Sequence, residues 1–447
     1  DFLTRYVLSN VNAITTHSDT LPEEHLNQWA GEGRKWIDQA SLAGLGAPKP
    51  PTPEQVYAQW KDKPGVTDPR YAGIIVDEFI NAGTIDFYRP WTAGLELLSN
   101  DPNFTGKKLY AWCGLMARFE ATVDFRRVVM KRDHRFVWEQ YFHEQVNDQK
   151  ARCYMLRRLV EHSLLWLESA PDVAPQIIQC FALFCAPPGT VNLNPKIDYK
   201  VHMDMQIRYM ATEPALWGQC GILPWLSNYA DEEILRWTYR LFRHYCIEGN
   251  RTPFTTDPYV LPHLENPDFD DGLKYWTVDC AEGGNVAVRH IDRFGWLQGR
   301  YPETPNGDNF LYMRHSTKGP NRVSQTVKDL DLNRLYSLKM ISLDLNNPEK
   351  EQKLPVSISL EGAEIIPERS FQAVYKSGKQ CQDEATGRSI SNPNFNYHRL
   401  VFQSTSRSAE LIISDWQSPT ESGGTEDQEL ACNFIEIQPY YADSPSP

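Results

Sequence analysis

The sequence predicts an α/β unit of the (β/α)8 barrel type followed by an all-β sandwich. Three observations carry this. At 447 residues the chain is too long for one ordinary domain and suits two. Short apolar runs alternate with longer amphipathic ones through the first 250 residues. After a Pro- and Thr-rich stretch, NRTPFTTDPYVLPHLEN, the pattern changes to short alternating runs separated by Gly, Asn, Pro and Asp. The expected division is 1–250 for the barrel, 251–265 for a linker and 266–442 for the sandwich.

The barrel elements follow in order. VNAITT (11–16) is a short β-prone run. Thr20-Leu21-Pro22-Glu23-Glu24 opens a helix, with Thr20 as N-cap and acids at its positive end. RKWIDQA (34–40) reads as a strand, and Thr52-Pro53-Glu54 opens the next helix. YAGIIVDEF (71–79) is the strongest strand, apolar on both faces as a buried parallel strand should be. Helix 86–99, strand KKLYAWCG (107–114), helix 117–131 and strand RFVWEQYF (135–142) come next. Helix 148–168, strand IIQCFALFC (177–185), helix 198–212, strand LWGQCGILPW (216–225) and helix 231–247 complete the series. Repeated strand–helix units without a dinucleotide Gly fingerprint favour a TIM-type barrel over an open sheet. One strand is short of eight: either it precedes Asp1 or residues 2–9 supply it. In the former case VDEF ends the fourth barrel strand.

The net charge of −13 disfavours nucleic acid and anionic membrane surfaces as partners. A neutral or cationic partner fits better. A polyanionic substrate would need a local basic patch, which the sequence does not place. No apolar run approaches the roughly 20 residues of a membrane span. Opening at Asp1 with no leader-like segment, the chain reads as a processed or trimmed form. The triplets Asn103-Phe-Thr and Asn250-Arg-Thr are weak pointers to secretion. The nine cysteines include no C-x-x-C pair, so they are expected as buried free thiols and not as a zinc or redox motif.

In such a barrel chemistry sits at the C-terminal ends of strands. There lie Glu78 with Asp77, Glu139 followed by Tyr141, Asp38, and the aromatics Trp112 and Trp225, with His17 after the first run. Successive strand residues point opposite ways, so only one of Asp77 and Glu78 is expected to face the barrel axis. Two facing carboxyls are what glycoside hydrolysis needs, one to protonate the leaving oxygen and one to attack or to activate water. Glu78 is the candidate acid and Glu139 the candidate nucleophile or base. Asp77, Asp38 and Tyr141 are in support, and Trp112, Trp225 and His17 are substrate contacts. Each has a structural alternative, since a strand-end Glu also caps helices or pairs with Arg, and a Trp also packs a core. No G-x-S-x-G elbow, Walker loop or H-E-x-x-H is present, and no metal ligand set is predicted.

GIIVDEF resembles the G-[IL]-x-x-D-E strand ends of TIM-barrel glycoside hydrolases, which transfers the catalytic acid to Glu78. The last 175 or so residues resemble carbohydrate-binding modules with a galactose-binding-like jelly roll. The likeness rests on NPDFDDGLKYWTV (266–278) as the opening strand, RVSQTVKDLDLNRLYSLKMISLDL (322–345) as the central pair, and ELIISDW and NFIEIQPY as the last strands. That resemblance implies a core role for Trp276 and sugar platforms at Trp296, Tyr301 and Trp416. It also implies a structural calcium held by Asp270, Asp271 and Asp308, no cofactor being required for the reaction. The expected activity is hydrolysis of a polysaccharide or oligosaccharide, outside the cell or in the periplasm. The alternatives are a non-catalytic carbohydrate-binding protein on a barrel scaffold, and a sandwich that serves only packing or oligomerisation.

Overall fold

The computed structural model describes residues 2–17, 22–79, 85–225 and 229–442. Seven strands form one parallel sheet in sequential order: β1 (Ala13–Thr16), β2 (Lys35–Ala40), β3 (Tyr71–Phe79), β4 (Lys108–Cys113), β5 (Arg135–Glu139), β6 (Ile177–Ala182) and β9 (Gly221–Trp225). A two-stranded ribbon, β7 (Cys185–Ala186) with β8 (Gly189–Thr190), is inserted after β6. Strict sequential order with helical crossovers curls the sheet into a half-barrel. Among the described residues no pairing joins β9 back to β1.

Eight helices alternate with these strands: α1 (Glu23–Gly31), α2 (Pro53–Lys61), α3 (Pro64–Thr67), α4 (Ile85–Ser99), α5 (Val123–Lys131), α6 (Asp148–Ser169), α7 (Tyr199–Thr212) and α8 (Glu232–Phe242). The expected N-cap Thr20 lies outside the described residues, and α1 starts after Pro22. Thr52 closes a full capping box on α2: its hydroxyl accepts from the Gln55 N–H, and its own N–H donates to Gln55 Oε1 at 2.8 Å. Helix 117–131 is shorter than expected, because two 3-10 turns precede α5.

The sheet buries both faces. Ile74, Val76, Leu109, Ala111, Phe136 and Trp138 pack under Trp60 of α2, Trp91 of α4, Phe125 of α5 and Trp166 of α6. Fully burying each such side chain contributes about 1.5–3 kcal/mol. The alternate residues Ile37, Ile75, Tyr110, Trp112, Val137 and Cys180 fill the inner face. Gly73, at φ 141°, is required where β3 meets β4, since a Cβ there would lie 1.8 Å from the Lys108 carbonyl oxygen.

Residues 2–9 do not supply a strand. They form helical turns, Leu3–Val7 and Leu8–Asn10, with adjacent Tyr6 and Val7 both buried, and Arg236 of α8 lies over the Tyr6 ring. Two neighbouring buried side chains suit a helical turn and not an alternating strand.

The C-terminal part holds two antiparallel sheets. The smaller pairs Thr277–Asp279, Arg322–Val327, Ala409–Ser414 and Ser357–Glu361 in that order. The larger runs Val286–His290, Asn309–Arg314, Glu429–Pro439, Leu335–Asp344 and Asn394–Ser404, with Ala363–Ile365 and Phe371–Lys376 both on the last strand. They share a core that includes Leu311, Val323, Leu338, Leu411 and Ile437. The segment 266–276, expected as an opening strand, is instead a hydrogen-bonded loop. The Asn266 amide donates to the carbonyls of Gly272 and Lys274, and its backbone carbonyl accepts from the Trp276 indole. Trp276 is core, as expected.

The larger sheet also packs against the parallel-sheet part, and this contact is polar and buried. Arg399 reaches Asp231 (2.7 Å) and Glu233 (3.0 Å) at the start of α8, where Asp231 is also the N-cap. Glu436 takes Lys339 at 2.7 Å and the Asn192 amide at 2.8 Å. Arg300 grips Asp268 through both terminal guanidinium nitrogens, at 2.7 and 3.0 Å, and donates to the Leu193 carbonyl at 3.1 Å. The connecting segment is fastened too: Leu261 N–H donates to Lys196, Asp257 pairs with Arg334, and Tyr259 is buried. No described helix is long and apolar enough to cross a membrane. All nine cysteines are free, five buried and four exposed.

Candidate functional site

A cavity of about 990 Å³ opens at the C-terminal ends of the parallel strands. Its floor comes from strand ends: Asp77 and Glu78 of β3, Trp112 of β4, Glu139 and Tyr141 at β5, and Trp225 of β9. Phe184 and the ribbon after β6 line one side. Trp296, Tyr301, Lys376 and Lys379 reach in from the antiparallel sheets.

Both acids of β3 line this cavity, against the alternation rule. Val76 pairs with Ala111 but Phe79 pairs with Cys113, so β3 spends one residue more than β4 over the same span. This bulge is made by Glu78, whose φ is 70°. The Asp77 carboxylate accepts the Glu78 N–H at 2.6 Å and fixes the turn. A glutamate in the left-handed region costs about 1–2 kcal/mol, and such strain concentrates at functional sites. Glu78→Gly, which adopts that backbone freely, is therefore expected to unfold at an equal or higher midpoint than the native protein, with a gain of up to ~1 kcal/mol. Glu78→Val should lose about 1–2 kcal/mol. A clear loss for the glycine variant in thermal melts would count against the strained bulge.

Glu139 is the last residue of β5. The Trp112 indole donates to Oε2 at 3.0 Å, and Tyr141 lines the cavity beside the same carboxyl group. Burial pushes the Glu139 carboxyl above the usual range, the neighbouring Tyr141 and Trp112 donor groups oppose this, and the nearby charges of Asp77 and Glu78 add to it. Burial likewise raises Asp77, with Glu78 adding and the Glu78 N–H opposing. Tyr141 is itself raised, first by burial, and so stays a hydrogen-bond donor. A carboxyl raised in pKa beside a second, exposed one is the pairing that acid-assisted bond cleavage uses.

The aromatics divide by exposure. Trp112 is 2% exposed, lies edge-on to Trp225 at 4.5 Å and acts on Glu139, so it is a positioning residue and not a platform. Trp225 is half-buried. Tyr301, 44% exposed, continues an aromatic row of Tyr141, Phe184, Tyr301 and Trp296, with ring centroids 5.5, 6.0 and 6.4 Å apart. Three predicted residues are not brought to the cavity. Asp38 is buried and accepts the Gly65 N–H at 3.0 Å, fixing α3. His17 lies exposed after β1 and does not line it. Trp416 also sits elsewhere, donating to the Ser316 carbonyl. Phe184, Lys376 and Lys379 were missed. Phe184 sits in an apolar run that reads as core throughout, and the lysines follow an edge strand with half its residues exposed.

Two of the acids expected to hold calcium are engaged within the protein. Asp308 is buried on the Gly295 N–H, and Asp270 accepts from the Asn309 amide. Among the described residues no group of three or more His, Cys, Asp or Glu gathers as metal ligands.

No family model and no curated protein matches the chain. Solved structures resemble it distantly. Chitinase ChiA74 from Bacillus thuringiensis matches with a TM-score of 0.33 at 8% identity, over 89% of this chain and 81% of that one. The module TmCBM61 in complex with β-1,4-galactotriose matches with a TM-score of 0.21 at 13% identity, over 40% of this chain and 97% of that one. The enzymatically active domain of bacteriophage CBA120 tailspike protein 4 matches with a TM-score of 0.23 at 12% identity, over 42% of this chain, which spans only 24% of that domain. At these scores the similarities carry no weight in assigning a function, which rests on the cavity alone.

Proposed function

We propose that the chain is a glycoside hydrolase whose bond cleavage takes place between Glu139 and the Asp77–Glu78 bulge. The seven parallel strands are then those of a barrel of the (β/α)8 type, and the antiparallel sheets a jelly-roll module that completes the cleft. The observation that carries the reading is the bulge. It turns two carboxyls into the same cavity as a third that is half-buried, hydrogen-bonded to Trp112 and raised in pKa.

The roles follow from the surroundings and exchange those expected from sequence. Glu139 donates its proton to the glycosidic oxygen as the C–O bond breaks. Glu78, the exposed member, attacks the anomeric carbon or takes a proton from the water that does. Asp77 holds the Glu78 backbone, and its charge helps to push the Glu139 pKa upward. Trp225 and Tyr301 offer ring faces to the sugar.

The test is release of reducing ends from a panel of soluble polysaccharides and their oligosaccharides. Turnover of one of them, lost in Glu78→Gln, supports the reading. Binding without turnover across the panel would instead favour a carbohydrate-binding protein that has kept the scaffold.

A further inference from the structure

The net charge of −13 makes cations in this cavity notable. Lys376 and Lys379 line it, from the end of strand Phe371–Lys376 and the turn that follows. Among the described residues neither has a carboxylate within ion-pair distance, whereas the three acids of the cavity belong to the parallel-sheet part. The cavity is thus polarised, with acidic side chains at the strand ends and unpaired cations on the antiparallel sheets.

The turn carrying the lysines is built, not loose. Ser377 is buried, its hydroxyl donates to the Leu297 carbonyl, and the same oxygen accepts the Lys379 N–H at 3.2 Å. Gly378 takes φ 72° to make the corner, and the Lys379 carbonyl accepts from Asn392 N–H at 2.8 Å. The Lys379 ammonium lies 3.9 Å from the centre of the Trp296 ring, which holds a long side chain over the aromatic row.

Resting on the glycosidase reading, we propose that Lys376 and Lys379 form a subsite for an anionic substituent, a carboxylate or sulfate, on the sugar chain. Such a group is drawn to the lysines and repelled by the acids of the Asp77–Glu78 bulge. The two forces orient the chain, turning the charged edge of one sugar to the antiparallel sheets and a glycosidic bond to the acids. This supplies the local basic patch that an acidic protein needs in order to take an acidic polymer.

The test uses the full chain carrying Glu139→Gln, to suppress turnover, and calorimetric titration of matched oligosaccharides. One arm compares uronate oligomers with their carboxyl-reduced counterparts. The other compares sulfated oligomers with desulfated ones, and the arm that responds names the anion. The charged member is expected to bind at least about tenfold more tightly, with the advantage shrinking as salt is raised. Lys376→Gln with Lys379→Gln should abolish the advantage, and Lys→Arg at both positions should keep most of it. Both side chains are at least partly exposed, so an unchanged melting temperature is expected for these variants. Equal binding of charged and neutral members, unaffected by the lysine changes, would overturn the anionic subsite and leave the glycosidase reading standing. Binding of neither kind of sugar would overturn both.

Discussion

Glu139→Gln is expected to lower kcat on a natural polysaccharide by about a hundred- to ten-thousand-fold, the usual worth of a positioned general acid, with KM little changed. The side chain keeps its shape and can still accept from Trp112, so the fold should persist. An aryl glycoside with an acidic leaving group separates the roles. Its departure needs little protonation, so Glu139→Gln should retain much of its activity there while Glu78→Gln should not. Equal losses on both substrates would make Glu139 the nucleophile. The pH dependence adds a second readout. The native protein should lose kcat/KM on the alkaline side as Glu139 deprotonates, and Glu139→Gln should lack that limb.

Stability carries the matching sign. The folded Glu139 carboxyl has a raised pKa, so between its ordinary value near 4.5 and the raised value the folded state holds more proton than the unfolded one. Stability therefore declines as pH rises through that window. Glu139→Gln should melt at about the native temperature near pH 4 and above it at neutral pH.

Arg300→Met is expected to cost about 3–5 kcal/mol in denaturant unfolding, because it leaves Asp268 charged and buried without its partner. The guanidinium is 1% exposed, makes two bonds to Asp268, and reaches the Leu193 carbonyl across to the parallel-sheet part. Arg300→Lys should recover little, since an ammonium cannot make the paired fork. Asp268→Asn combined with Arg300→Met should cost less than the sum of the single changes, the signature of a direct pair. Additive costs would mean that the two residues act separately. Tyr301 follows directly in sequence, so the single variant should also weaken sugar binding.

Much of this was legible in the residues, for identifiable reasons. The run Ile74-Ile75-Val76 declares a strand buried on both faces, and the rule that chemistry lies at strand ends then leads to Asp77, Glu78, Glu139 and Trp225. What was hidden depended on contacts from far along the chain. Nothing in V-D-E-F marks Glu78 as left-handed, because the usual residues there are Gly or Asn. Lys339 in LYSLKMISLDL reads as one solvent-facing position among apolar ones, yet it is 2% exposed because that face meets Glu436. The edge strand 371–376 pairs on one side only and lacks a clean apolar face, so nothing local sets Lys376 or the nearby Lys379 apart from ordinary surface. Asp38 lies near the end of a strand, as Glu139 does, and only the approach of Gly65 shows that it serves α3.

The aromatic row from Tyr141 through Phe184 to Tyr301 and Trp296 begins in one half of the chain and ends in the other. In evolutionary terms the C-terminal sheets are then no cassette that gene fusion could trade freely between scaffolds. A transplanted copy would bring its own rings to a rim shaped for others. Drift at Phe184 would have to be answered at Tyr301, and new specificities would arise by paired substitution across the join and not by domain exchange.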